Sequence, residues 1–186
     1  MSPEEYLEWE KENATKHEYV AGQVFAMAGA SDAHVTITVN LLAMLRGHVR
    51  GGPCRAYVAD MKARVGSEQA FYYPDLLVTC DERDRSNDFF KEHPRLIVEV
   101  LSPSAAAFDR GLKFAHYRAL PSLEEYVLVD SERQSVDCFR RTGEAEWMLK
   151  PYGPGGEVRF ESVGFTCRMD EIYEDVRLVF LEHPGL

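Results

Sequence analysis

Apolar residues along this chain recur with two spacings, and each spacing predicts a different kind of element. Between Ser31-Asp32 and about Arg50, Val35, Val39, Leu42, Leu45 and Val49 recur at steps of three and four, which predicts a capped amphipathic helix ended by Gly51-Gly52-Pro53. A shorter helix opens at Ser2-Pro3-Glu4-Glu5, with a Ser cap, Pro in the first turn and carboxylates at the positive dipole end. HEYVAGQVFAMAG reads as a hairpin turning at Gly22, with Tyr19 and Val20 running in and Val24, Phe25 and Met27 running back. CRAYVADMKARV and FYYPDLLVTC alternate as an antiparallel pair about the turn GSEQ, and DERDRSNDFFKEHP comes next as a charged surface loop. LIVEVLSPS begins as a strand buried on both faces, and a helix capped by Ser104 then runs from about Ala105 to Ala119, stopped by Leu120-Pro121. EEYVLVD is a second buried strand. SVDCFRR, AEWMLKPY and EVRFES form a meander with a turn at YGPGGE, and FTCRMDEIYEDV packs Phe165, Ile172 and Tyr173 on its edge.

This order of elements predicts an α/β fold, a mixed central β-sheet flanked by helices, in a single domain over residues 1–186 with its core at about 15–175. No strand leads into G-x-G-x-x-G or G-x-x-x-x-G-K-[ST], so a doubly wound nucleotide fold is not expected. The hydrophobic fraction of 45% is ordinary, and no segment matches a membrane span. The polar, acidic N-terminus lacks the pattern of a signal peptide, which points to the cytoplasm. Cys54, Cys80, Cys138 and Cys167 lie far apart in sequence and are expected to be reduced and structural. A net charge of −10 opposes non-specific binding to nucleic acid. A DNA-acting protein of this composition needs a local basic surface, for which Arg46, Arg50, Arg55, Lys62, Arg64, Arg110, Lys113 and Arg118 are the candidates.

Two acids interrupt apolar strands. Glu99 sits inside LIVEVL and Asp75 inside YYPDLLV, and a buried carboxylate must be paired or bound to a metal. Neighbouring strands would bring both to one point, a hard-oxygen arrangement suited to Mg²⁺, with the Val100 carbonyl as a third ligand. Asp109, Lys113 and Tyr117 are spaced four apart on one helix face, so Lys113 becomes the compensating charge for Glu99 and a group able to act on a phosphate. The plainer reading of Glu99 is an ion-pair partner, of Asp109 a support for Lys113, and of His34 a packed or capping group. Asp60 could line the same cleft but carries no weight in the reading.

HEYVAGQVFAMAGAS followed by His34, YYPDLLV, LIVEVLSPS, D-x-x-x-K-x-x-x-Y and EYVLVD together resemble a family of short bacterial restriction-endonuclease-like proteins within the PD-(D/E)XK nuclease superfamily. The resemblance implies the restriction-endonuclease-like fold, with Asp75 and Glu99 as metal ligands and Glu18 as a further acid. The superfamily lysine would stand at position 101, where this chain has Leu101, and in this family Lys113 inherits the role. The activity this resemblance implies is a Mg²⁺-dependent (or Mn²⁺-dependent) endonuclease acting on DNA. The base rate of two-fold assemblies adds a homodimer. A catalytically inactive binding or assembly module on the same fold is the alternative, motivated by Leu101 and the acidic net charge. A two-carboxylate sugar hydrolase ranks below both, because Trp9 and Trp147 lie far in sequence from the acids.

Overall fold

A computed structural model describes residues 1–66, 69–143 and 145–178 of the chain, so Ser67 and Glu68 of the GSEQ turn and the last residues of the expected domain lie outside the described residues. Helix α1 (Pro3–Lys11) opens with a capping box, in which Ser2 Oγ accepts from the Glu5 N–H and the Glu5 carboxylate accepts from the Ser2 N–H. The hairpin β1 (His17–Val20) and β2 (Gln23–Ala26) turns through Ala21 and Gly22, both at positive φ. Helix α2 (Asp32–Val49) is capped by Ser31, whose Oγ accepts from the His34 N–H.

The buried stripe of α2 is Ile37, Leu41, Leu45 and Val49, while Val35 and Val39 from the expected stripe are 49% and 55% exposed. Apolar residues on this helix form two rows at helical spacing, and only the position of the sheet selects which row is covered.

The pair CRAYVADMKARV and FYYPDLLVTC is antiparallel as expected, but it is shared between two sheets. β3 (Arg55–Val58) pairs with β6 (Leu76–Thr79) in one, and β4 (Lys62–Val65) pairs with β5 (Ala70–Tyr72) in the other. The breaks fall at Ala59, which takes a positive φ of 38°, and at Pro74, which has no N–H to donate to a ladder. Sheet order is β11-β10-β9-β8-β6-β3 in the six-stranded sheet and β2-β1-β5-β4-β7 in the five-stranded one. In the first, β8 (Pro94–Leu101) and β9 (Glu125–Asp130) are parallel, while β10 (Val136–Arg141) and β11 (Trp147–Tyr152) continue antiparallel. In the second, β7 (Phe90–Lys91) runs parallel to β4. A parallel pair needs a crossover connection, and the helical segment α3 (Ala106–Phe108), π-helical Asp109–Lys113 and α4 (Phe114–Tyr117) supplies it. Its entry is held by Ser102 rather than the expected Ser104: the Ser102 hydroxyl and carbonyl accept from Ala105 N–H.

The central sheet is covered on both faces. α2, with β12 (Glu157–Phe160), β13 (Phe165–Arg168) and α5 (Met169–Ile172), packs on Leu76, Val78, Val98, Val100, Val127 and Val129. The other face, with Leu77, Ile97, Leu101, Tyr126 and Leu128, packs on Tyr72, Tyr117, Leu120 and Leu123. EVRFES does not extend the meander but forms a separate two-stranded sheet with FTCR, and Phe165, Ile172 and Tyr173 enter the core rather than an edge.

Two further expectations are corrected. Cys54 and Cys80 form a disulfide, because they flank the facing pair Arg55 and Thr79 on adjacent antiparallel strands; Cys138 and Cys167 are buried thiols. The loop DERDRSNDFFKEHP is not merely a surface loop. Its Asp84 is buried, accepting from the Thr79 hydroxyl at 2.6 Å and the Glu92 N–H at 2.9 Å, and the buried Lys91 ammonium donates to the Asp84 carbonyl at 2.7 Å.

Candidate active site

Asp75 lies at the kink where the shared hairpin passes from one sheet to the other, immediately after Pro74. Leu76 faces Val98 in the β6–β8 register, so one further step along the antiparallel pair sets Asp75 opposite Glu99. The two acids do meet there: the Asp75 N–H points at Glu99 Oε2 across a long 3.4 Å, and Asp75 Oδ2 accepts from the Val100 N–H at 2.7 Å. Glu99 is 3% exposed, on the sheet face shared with Ile97 and Leu101.

Lys113 comes from the crossover helix and Glu18 from β1 of the second sheet. The Lys113 ammonium lies 2.9 Å from Glu18, 3.3 Å from Glu99 and 3.3 Å from Asp109, and Tyr117 donates its hydroxyl to Glu99 Oε1 at 3.2 Å. Glu18 also accepts from the Tyr73 N–H at 3.3 Å, which ties the chain just before the kink to β1. The expected face of Asp109, Lys113 and Tyr117 therefore does close over Glu99. Leu101, where the superfamily lysine would stand, is core against Tyr72 and Tyr117. The cationic position above Glu99 is filled from the helix instead.

Glu18, Glu99 and Asp109 crowd around one lysine with Asp75 opposite Glu99, and the charge excess shows in the proton affinities of Glu99 and Asp109. Burial raises the Glu99 carboxyl well above its ordinary value; Lys113 opposes this, and the charges of Asp109, Asp75 and Glu18 add to it. Burial likewise raises Asp109 against the pull of Lys113. For Lys113, burial works to lower the value, but the charges of Glu99, Glu18 and Asp109 outweigh it and hold the ammonium protonated.

His34, read from sequence as a packed or capping group, belongs to the site. Its Nε2 is 3.1 Å from Asp75 Oδ2, its side chain is 15% exposed, and its Nδ1 is buried without a hydrogen-bond partner. Burial works to lower the His34 value, but the hydrogen bond and charge of Asp75, the charge of Asp109 and a backbone hydrogen bond with Val100 raise it overall. The signal for it was its place three residues after the Ser31 cap, where side chains tilt back over the helix N-terminus. Asp60 does not line the site; it is exposed and pairs with Lys16.

Among the described residues, no three side chains of His, Cys, Asp and Glu are arranged as a ready metal cage. The chemistry of the donor set nevertheless fits a hard dication. Asp75 and Glu99 face one another, and the carboxylates around Lys113 exceed its single positive charge. Mg²⁺ takes one or two carboxylates and keeps its remaining positions for water and phosphate.

The Uma2 family, described as "Putative restriction endonuclease", matches residues 3–169. The uncharacterized protein slr1290 of Synechocystis is 40% identical over 173 residues, covering 93% of this chain and 91% of that protein. A second uncharacterized Synechocystis protein, sll1609, is 32% identical over 163 residues, covering 86% and 92%. Among solved structures, a "putative nuclease belonging to DUF820" from Anabaena variabilis superposes with a TM-score of 0.76 at 17% identity, covering 93% of this chain and 97% of that one. That likeness shows the fold, a mixed α/β arrangement of sheets flanked by helices. With the family match spanning nearly all the described residues, the chain belongs to the Uma2 family of restriction-endonuclease-like proteins.

Proposed function

We propose that this protein is a Mg²⁺- or Mn²⁺-dependent endonuclease acting on DNA, with Asp75 and Glu99 as metal ligands beside the Val100 carbonyl. The single observation that carries the reading is the meeting of Asp75 and Glu99 at one end of the β6–β8 strand pair with Lys113 above them. A dication held there supplies Lewis acidity toward a phosphate oxygen and makes bound water more acidic.

The remaining work falls to the chain itself. Asp75 is fixed by the Val100 N–H and Glu99 by the Tyr117 hydroxyl, so neither carboxylate has to be ordered when substrate arrives. Lys113 is held protonated by three carboxylates and therefore acts as a hydrogen-bond donor and positive charge, not as a base. Its three N–H donors are matched by three acceptors, so contact with a phosphate requires one of the acids to let go. Glu18 and Asp109 keep the ammonium in place over the site.

A homodimer remains part of the proposal, since a second copy would enlarge the surface offered to a duplex. The test is nicking of supercoiled plasmid in Mg²⁺ and in Mn²⁺. Wild-type protein should nick, and Glu99→Gln should reduce cleavage at least about a hundredfold, a loss of about 2.7 kcal/mol of transition-state stabilisation. The second reading, an inactive binding or assembly module, is favoured by the saturation of Lys113 and by Leu101 in the superfamily lysine position. Folded wild-type protein that binds DNA but leaves DNA and RNA intact with both metals would establish it.

A further inference from the structure

His34 occupies a particular place. Asp75 Oδ2 receives the Val100 N–H at 2.7 Å and His34 Nε2 at 3.1 Å, so both in-plane lone pairs of the oxygen that faces Val100 are taken. The Val100 N–H belongs to the backbone of a central strand and cannot leave. The imidazole hangs on two rotatable bonds.

The rest of His34 separates two possible roles. Its backbone is pinned: the N–H donates to Ser31 Oγ, and the carbonyl accepts from the Thr38 hydroxyl at 2.9 Å. Its ring is not pinned on the far side, because Nδ1 is buried with no partner. A histidine built as a metal ligand ordinarily anchors its second nitrogen on a carboxylate, a carbonyl or water, which sets the tautomer and the ring direction. Here the ring is secured through a carboxylate oxygen of the candidate metal ligand Asp75, with the Val100 backbone beside it.

We propose that His34 is a placeholder for the dication: in the metal-free protein its Nε2 fills the position beside Asp75 Oδ2 and Val100, and the incoming cation must displace it. The inference rests on the dication reading of Asp75 and Glu99 given above. Geometry gives the physical reason. A cation about 2.1 Å from Oδ2 along the lone pair now directed at Nε2 would lie about 1 Å from that nitrogen, well inside contact. Binding therefore includes breaking the His34–Asp75 contact, and the affinity measured for the wild type is the intrinsic affinity reduced by that cost. The occupant also keeps Asp75 compensated while the site is empty.

The test is calorimetric titration of Mn²⁺, and separately Mg²⁺, into the full chain at one fixed pH, with circular dichroism to verify folding of each variant. His34→Ala and His34→Asn, both too short to reach Asp75, should bind Mn²⁺ about tenfold more tightly than wild type, the scale of one charge-assisted hydrogen bond removed from the competition. Glu99→Gln should lose binding. Weaker binding by the two His34 variants would make His34 a ligand, and unchanged binding would make it a bystander; either result overturns the placeholder while leaving the dication reading intact. If neither wild type nor a folded His34 variant binds either metal, both fall together. Tight binding by the variants with none detectable in wild type would be its strongest support.

Discussion

Lys113 has three N–H donors, and Glu18, Glu99 and Asp109 take them in a setting with little water. Removing the ammonium leaves buried carboxylates without a counter-charge, which costs about 3–5 kcal/mol. Lys113→Met should show a loss of that order in urea denaturation at pH 7.5, recovering toward acidic pH as the carboxylates take up protons. Glu99 gives the opposite sign. Its folded value is raised by burial, so its protonated form is preferred in the folded state. The stability it contributes is complete below the ordinary carboxylate range and is lost as pH rises through the raised value. In EDTA, Glu99→Gln should therefore be more stable than wild type at alkaline pH, with the gain shrinking as the pH falls into the ordinary carboxylate range. A denaturation series across pH checks it. Glu99 was legible in the sequence because an acid inside LIVEVL has no ordinary explanation. His34 was not, since a histidine near a helix start fits a cap, a packed ring or a site equally well until the helix is placed.

Among the elements, the crossover helix illustrates how local geometry serves the site. The spacing of Asp109, Lys113 and Tyr117 anticipated a shared face, but the turn Asp109–Lys113 is π-helical. Such turns recur at functional sites, and this one carries both buried charged residues of the segment. The shared hairpin is the second case. Alternation in its two halves predicted antiparallel pairing, yet nothing local said that Pro74 and Ala59 would pass the pair from one sheet to another and leave Asp75 at the crossing. At its far end, the Cys54–Cys80 disulfide closes a separation of 26 residues, worth about 3.5 kcal/mol on loop-closure entropy. A reductant, or Cys80→Ser, should lower stability toward that extent, and thiol counting should rise from two to four under denaturing conditions on reduction. Equal stability with and without reductant would mean the pair is two thiols. Across β9 and β10, the fully buried Glu125 is matched by Arg140 at 2.8 Å and by the Ser162 hydroxyl at 2.9 Å. Arg140→Met should cost about 3–5 kcal/mol in chemical denaturation with the candidate site untouched, which separates this structural ion pair from the cluster around Lys113.

For the molecule as a whole, charge is the governing quantity. Several of the basic residues expected to offset a net charge of −10 are already paired or buried. Arg64 pairs with Glu92, Arg110 with Asp137, and Lys113 and Lys62 are buried. Arg46 and Arg50 are exposed in the last turns of α2, and Arg55 opens β3, which packs on that helix. Arg46 and Arg50 lie toward the opposite end of α2 from His34, about 18 Å and 24 Å along the helix axis at 1.5 Å per residue. Affinity for duplex DNA should accordingly be weak in EDTA, with a log–log salt slope of about −3 for one chain using those three arginines. Fluorescence anisotropy against salt measures it. A slope near −6 would mean that two chains contribute to each complex.

Periodicity and local chemistry determined by themselves the mixed α/β class, the buried strand of LIVEVL, the capped start of α2, and the helix face that carries Lys113 over Glu99. These depend on neighbours within a few residues, and a single chain displays them directly. Packing decided the rest: which apolar row of α2 is covered, the opposition of Asp75 and Glu99, the arrival of His34 at Asp75, and the joining of Cys54 to Cys80. Each of these is a contact between segments distant in the chain. Such contacts are set by strand register and by how helices dock on sheets, and both depend on the burial of the whole core rather than on any one stretch of sequence.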